Sequence, residues 1–273
     1  MEDQPPFVIE WLARQSTVEQ QSVDISVVIP AFNEELRLPP TLIQCIDYLE
    51  QEGVSYEIIV VDDGSRDGTA EMVRRFQRIR PQIMLITLPR NRGKGHAVRT
   101  GALNSHGEQV LIADADGSTP FPELSRLQRA LEQGQADVAF GSRALADQDV
   151  VVAAKWYRRI IGRVFNLLVT SLALPGVKDT QCGFKLFTKR AARELFSRQS
   201  LDGYAFDVEV LYLARRLGFS SVEVSVNWRS IAGSKVNLLT DPIKMFAQIL
   251  VIVLRHRRLA TGSPELSASS GQS

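Results

Sequence analysis

Cysteine is nearly absent from this sequence: Cys45 and Cys182 are the only two in 273 residues, and both sit in apolar surroundings. A disulfide framework and a cysteine zinc site are thereby excluded, and a reducing, cytoplasmic setting is the expectation. Histidine is almost as scarce. His96, His106 and His256 are scattered, with no Cys/His ligand spacing, and contribute little to a functional reading. Long apolar runs are missing too. The longest, Ile249 to Leu254, falls far short of the roughly 20 residues of a membrane span. Met1 to Gln21 carries acids and two prolines before any apolar stretch, so no secretory signal is expected. There is no excess of charge of one sign: 32 Lys and Arg against 31 Asp and Glu leave +1, which gives no global case for nucleic acid.

Two phosphate-binding signatures are also absent. The first strand-like run ends in Pro30-Ala-Phe-Asn33, with no glycine, and Gly93-Lys-Gly95 is followed by Val98 where a dinucleotide motif needs its third glycine. No Gly-x-x-x-x-Gly-Lys-Ser/Thr loop exists. Hydride transfer and P-loop hydrolysis are both disfavoured.

What the chain does contain is a regular alternation. Strand-like runs at Ile25–Pro30, Tyr56–Val61, Ile83–Leu88, Val110–Ala113 and Asp137–Gly141 are separated by helical spacings such as Leu42/Ile46/Leu49, Met72/Val73/Phe76, 95–105 and Leu124/Leu127/Leu131. Such alternation predicts βαβ units and a mostly parallel sheet covered on both faces. Apolar content of 44% suffices for a packed core. Ligands of such sheets bind beyond the carboxyl ends of the strands. The polar clusters fall there: Asn33/Glu34, Asp62/Asp63, Arg90–Lys94 and Asp114/Asp116.

The stretch Leu111–Pro120 anchors this reading. An apolar run ends abruptly in two carboxylates one residue apart, followed by Gly117 and Pro120. Paired acids at the mouth of a buried strand call for a positive partner. A hard divalent cation holding substrate phosphates would serve, and a solvated turn is the plain alternative. Arg92 and Lys94 likewise suit either phosphates or a solvated loop, and Asp62 suits a turn cap.

The motifs Val28-Ile-Pro-Ala-Phe-Asn-Glu-Glu35, Val60-Val-Asp-Asp-Gly-Ser-Arg-Asp-Gly-Thr69 and Asp114-Ala-Asp116 resemble the serial motifs of family-2 glycosyltransferases with the GT-A fold. Asp179-Thr-Gln-Cys-Gly-Phe-Lys185, Phe206-Asp-Val-Glu209, Val226-Asn-Trp228 and Gly233-Ser-Lys235 are similar to the dolichyl-phosphate β-glucosyltransferase branch, near the mannose synthases. The resemblance runs from about Ser26 to Arg258. It implies that Pro30, Phe32 and Glu34 line the nucleotide pocket, that Asp63 contacts uracil or ribose, and that Lys94 sits near base or phosphates. It implies that Asp114 and Asp116 hold Mg²⁺ or Mn²⁺ on the diphosphate, with Asp116 central to catalysis.

Beyond Gly141 the residues change character. Lys155, Arg159 and Arg163 share a helical face beside Trp156, Ile160, Val164 and Leu167, as an interfacial helix would arrange them, or a packed helix with a basic edge. Pro242 to Arg258 is a second amphipathic segment, ending in Arg255-His-Arg-Arg258. A polyprenyl monophosphate acceptor already carries a nucleophilic oxygen and needs arginines rather than a strong base. Arg143, Arg159 and Arg163 are candidates, with Arg229, Ser234 and Lys235 closing from the C-terminal side; whether Arg158, Arg159 or Arg163 matches the phosphate ligand stays open. Asp179, Asp207 and Glu209 suit sugar-hydroxyl binding or electrostatic positioning, or else structural ion pairs; Asp207 and Glu209 stand with Asp116 and Arg143 as candidate catalytic residues.

The expected organisation is an arm at 1–23 and a GT-A domain at 24–241. The domain divides into a nucleotide-sugar half (24–143) and an acceptor half (144–241), and an amphipathic helix (242–258) and a polar tail (259–273) follow. The implied function is metal-dependent, inverting transfer of glucose from UDP-glucose to a polyprenyl (dolichyl-type) phosphate at the cytoplasmic membrane face. GDP-mannose-dependent mannosyl transfer is the alternative, and a sugar nucleotidyltransferase is a more distant one.

Overall fold

The structure is a computed structural model and describes residues 22–145, 151–153, 173–231 and 241–257. Residues 1–21 of the N-terminal arm, the 155–167 segment with Arg158, Arg159 and Arg163, the Ser234/Lys235 motif and the tail lie outside those residues.

Nine strands are described: β1 Ile25–Ala31, β2 Tyr56–Asp62, β3 Ile83–Thr87, β4 Gln109–Ile112, β5 Val138–Ser142, β6 Val152–Ala153, β7 Lys185–Thr188, β8 Ser221–Ser225 and β9 Trp228–Arg229. The helices are α1 Leu38–Glu52, α2 Thr69–Ile79, α3 Lys94–Leu103, α4 Leu124–Gln133, α5 Lys189–Arg198, α6 Phe206–Leu217 and α7 Asp241–His256. Seven strands form one sheet in the order β3-β2-β1-β4-β7-β5-β8, and β6 pairs with β9 apart from it. All pairings in the large sheet are parallel except those of β7, which runs against both β4 and β5.

Side-chain alternation divides the core into two layers. Val28, Ile59 and Val61 face α3, α5, α6 and α7, whereas Val27, Ile29, Ile58 and Val60 face α1, α2 and α4. Strands buried on both faces explain why these runs read as continuous apolar stretches. Helix α3 approaches β1 closely: a Cβ at Gly101 would lie 2.3 Å from Val28 Cγ1.

The sheet changes direction of growth between β1 and β4, where a crevice opens in such folds. Pro30 helps to open it. The β1–β2 ladder continues to Ala31↔Asp62, but the β1–β4 ladder stops at Val28↔Ile112. The backbone of Val28 faces β4, since its carbonyl accepts from Ala113 N–H, and Pro30, two residues on, has no N–H with which to continue that side.

Because β7 is reversed, it contributes its beginning to the edge where the parallel strands end. Lys185 stands opposite both Ile112 and Phe140. The alternation in the sequence did not foretell this reversed strand. It is only four residues long and opens with a lysine that is fully buried.

Candidate active site at the carboxyl edge of the sheet

The loops after β1 and β2 are tied together residue by residue. Asn33 N–H donates to Ser65 Oγ (2.8 Å), Asn33 Oδ1 accepts from Arg66 N–H (2.8 Å), and Glu34 N–H donates to Thr69 Oγ1 (2.8 Å). Asn33 takes a left-handed conformation (φ 52°), which asparagine tolerates better than most residues. Asp62 Oδ1 accepts from Ser65 N–H at 3.0 Å and so caps this turn. Buried Glu34 is gripped by Arg37, whose Nε lies 2.7 Å from Oε2.

Asp63 is buried, and its carboxylate accepts the backbone N–H groups of Arg92 and Gly93, both at 2.8 Å. Burial raises its pKa, and these two donors offset part of the effect. Asp63 therefore fixes the loop that delivers α3. Gly93, just before the helix, has φ 113°, and a Cβ there would lie 2.4 Å from Asp202 O, so glycine is required on both counts.

Lys94 opens α3 and points to the end of β4, where its Nζ lies 2.6 Å from Asp114 Oδ1 and 5.7 Å from the centroid of the Phe206 ring. Burial works against the Lys94 ammonium, yet Asp114 and Asp207 outweigh it and hold the pKa above the ordinary lysine value. Burial likewise works against the Asp114 carboxylate, but Lys94, Lys185 and Arg143 lower its pKa below the usual range. Lys94 is thus no solvated loop residue. On the other side of Asp114, a Cβ on Gly183 would lie 2.1 Å from Oδ2, so the chain entering β7 must be bare at this point.

Asp116 is arranged differently. Its Oδ1 accepts from Ser118 N–H (3.0 Å) and Oγ (2.7 Å), while Oδ2 faces the Arg37 guanidinium at 3.9 Å. The acids of this stretch are therefore not left to repel each other: Lys94 stands on one and Arg37 near the other. The two carboxylates, with Glu34 and Pro30 across the β1–β4 crevice, bring one cluster of predicted residues to a single edge.

The acceptor-side candidates lie at the same edge. Arg143 Nε and Nη2 hold Asp179 Oδ2 and Oδ1 at 2.7 and 2.9 Å, and the guanidinium lies 5.4 Å from the centroid of Trp228. Burial opposes the Arg143 charge and Asp179 more than offsets it, so the pKa is raised; Arg143 in turn holds buried Asp179 below the carboxylate range. Asp207 accepts from Lys185 Nζ at 2.5 Å, both fully buried. Glu209, also fully buried, accepts from Ser200 and Leu201 N–H (3.0 and 2.8 Å) and contacts His256 Nε2 at 2.8 Å. Arg229 is exposed, and its N–H donates to Ser118 O (2.9 Å), joining β9 to the Asp116 loop.

Three residues lie outside the sequence expectations. Lys185 ends the Asp179–Lys185 motif, and a charge opening an apolar run is its signal. Gly183 carried no signal, because its need comes from Asp114, distant in sequence. His256 has no ligand spacing, yet it is buried against Glu209; its spacing from Ile249, Ile252 and Val253 on one helix face is the clue.

A family model described as Glycosyl transferase family 2 matches residues 26–196. The dolichyl-phosphate beta-glucosyltransferase of Dictyostelium discoideum is 41% identical over 246 residues, covering 86% of this chain and 75% of its own. The human protein of that name is 40% identical over 244 residues (85% and 75%), and the Saccharomyces cerevisiae one 36% over 251 (86% and 75%). Among solved structures, Mycobacterium tuberculosis glucosyl-3-phosphoglycerate synthase in complex with Mn²⁺, UDP and phosphoglyceric acid aligns with TM-score 0.61 at 20% identity, covering 86% of this chain and 79% of that one. Mannosyl-3-phosphoglycerate synthase from Rubrobacter xylanophilus aligns with TM-score 0.62 at 20% identity (99% and 85%). At such identity the structures show the GT-A fold alone. With the family model covering most of the chain and the curated relatives agreeing, this protein belongs to glycosyltransferase family 2.

Proposed function

We propose that the protein transfers glucose from UDP-glucose to a polyprenyl (dolichyl-type) monophosphate, with inversion at the anomeric carbon. The observation that carries the reading is the commitment of the acceptor-side acids: Asp179, Asp207 and Glu209 have oxygens engaged by Arg143, Lys185 and His256. A hydroxyl acceptor needs a base to take its proton. A phosphate monoester, largely dianionic at neutral pH, needs none. An acceptor side whose acids are already committed suits the second kind of nucleophile. The relatives named above carry that acceptor in their names.

The donor set suits a hard divalent cation. Asp114 and Asp116 offer carboxylate oxygen only, and among the described residues no group of three or more His, Cys, Asp or Glu converges as a metal cage. Two carboxylates completed by substrate phosphates are how Mg²⁺ is commonly held, and Mn²⁺ accepts the same oxygens. When bound, the ion would supply charge stabilisation to the departing nucleoside diphosphate. Lys94, already a partner of Asp114, would move its ammonium toward the diphosphate when that carboxylate takes the ion. Glu34, Pro30 and Phe32 would line the nucleotide, with Asp63 holding the loop beneath it.

Arg143, aligned by Asp179 and backed by Trp228, would orient the acceptor phosphate, with Arg229 at the rim. Arg159, Arg163, Ser234 and Lys235 would complete that site. Asp207 and Glu209 would act as positioning residues. One phosphate oxygen then forms the bond to the anomeric carbon as the bond to the diphosphate breaks, and a single displacement inverts the centre.

The lipid would be reached at a cytoplasmic membrane face. Among the described residues no helix is long and apolar enough to cross a membrane. Helix α7 buries Ile249 and Ile252 but exposes Leu250, Val251 and Leu254 beside Arg255 and Arg257, the arrangement of a helix lying on anionic lipid. The test is transfer of labelled glucose from UDP-glucose to a polyprenyl phosphate in detergent, with Mg²⁺, with Mn²⁺ and with chelator, and with GDP-mannose in parallel. Chelator-sensitive label in the organic phase from UDP-glucose alone is expected. Label from GDP-mannose alone would reassign the donor, and none from either would overturn the acceptor.

A further inference from the structure

The C-terminal helix reaches the donor site through an unbroken line of contacts. Helix α7 lies on α6 with Ile249, Ile252, Val253 and His256 at positions i, i+3, i+4 and i+7 of one face. His256 Nε2 meets Glu209 Oε1 at 2.8 Å, away from water. The same carboxylate holds the segment between α5 and α6: Ser200 Oγ donates to Oε1 (2.7 Å), and Ser200 and Leu201 N–H donate to Oε2. Arg255 of α7 donates to Ser200 Oγ as well, and a Cβ on Gly203 would lie 3.8 Å from Gln248 of α7.

That segment is in turn pressed into the start of α3. A Cβ on Gly95 would lie 2.3 Å from Leu201 O, and His96 N–H donates to Asp202 O (3.2 Å). Arg92 reaches Asp202 Oδ2 at 3.2 Å. Two glycines flanking Lys94 thus leave room for the 201–203 backbone and, at Gly95, for the Phe206 side chain. The end of α3 that presents Lys94 to Asp114 rests on a loop whose other side is held by α7.

We propose that Glu209 and His256 form a clasp through which the C-terminal helix holds the Ser200–Gly203 loop, and through that loop sets the position of Lys94. Glu209 and His256 are buried against each other and act as positioning residues. The clasp is a feature of the folded chain, and its meaning for donor binding rests on the function proposed above. A helix that meets lipid on its outer face would then favour a donor-ready Lys94 when seated.

Hydrogen exchange on the full chain and UDP binding by calorimetry test this with H256A, H256Q and S200A. In H256A, amide exchange is expected to rise at 200–204 and at 93–97 as well as in α7, and UDP affinity to fall roughly fivefold or more, the scale of ordinary coupling between sites. H256Q, whose amide can donate near the place of Nε2, is expected to restore both. S200A should show a smaller rise in the same two segments, which keeps the test open if H256A folds poorly. Faster exchange confined to α7, or unchanged UDP affinity beside a wild type that binds, overturns the proposal. A wild type that does not bind UDP refutes the donor reading instead, and the exchange pattern still decides the clasp.

Discussion

Two groups of acids at the carboxyl edge of the sheet are used differently. In the loops after β1 and β2, Asp62, Asp63 and Glu35 shape backbone: Asp62 caps a turn, Asp63 accepts two loop amides, and Glu35 accepts the Gly68 N–H. At the ends of β4, β5 and β7 the acids bind cationic side chains, Asp114 with Lys94, Asp179 with Arg143 and Asp207 with Lys185. Loops held by backbone donors keep their shape whatever charge arrives. A buried ion pair instead sets a local field, and losing one member leaves the other stranded. The loops after β1 and β2 are built as a mould, and the ends of β4, β5 and β7 as a charge arrangement.

Breaking one charged pair should therefore have the largest effect. Lys185→Met strands Asp207 and is expected to lower stability by about 3–5 kcal/mol in urea unfolding, whereas the double variant K185M/D207L should recover much of it. A double variant no better than the single would mean that the pair does not act as a unit. Next comes Asp116→Asn, which leaves the mould intact: turnover should fall roughly 100-fold or more while the thermal midpoint stays near that of wild type. Near-normal rates would remove Asp116 from the chemistry.

Gly183→Ala tests the room left around the charge arrangement. Its methyl would meet Asp114, so about 1–3 kcal/mol of stability should be lost and donor KM should rise more than acceptor KM. The smallest effect is a pH dependence. Arg143 holds Asp179 below its ordinary carboxylate value of 3.8, so the stabilisation is complete above that pH and is lost as pH falls through the lower folded value. The difference in unfolding free energy between wild type and Arg143→Met, about 1–2 kcal/mol at neutral pH, should therefore shrink below about pH 3.8. A difference that stays constant down to pH 3 would mean that Arg143 stabilises by packing on Trp228 instead.

The same contrast governs what could be read from the sequence. The mould was legible because its parts are local: an apolar run, then acids and glycines within a few residues, as in Asp62–Thr69. The parallel direction of the strands along the nucleotide side followed from the alternation. The pairs Lys185–Asp207 and Glu209–His256 were not legible, because each joins residues that only the fold brings together, and a lone lysine or histidine resembles a surface residue. The reversal of β7 was hidden for a related reason. A four-residue strand has no periodicity to measure, and its direction is set by partners on both sides.

That reversal has an architectural consequence. Strand β5 leaves the sheet at its carboxyl edge, and β7 enters beside it, Gly141 N–H donating to Phe184 O at 2.9 Å. The two lie antiparallel side by side, so the chain departs at Arg143 and returns at Phe184 through one doorway. Closing such a loop depends only weakly on its length. The length of the chain between them can thus vary without moving a strand of the nucleotide mould.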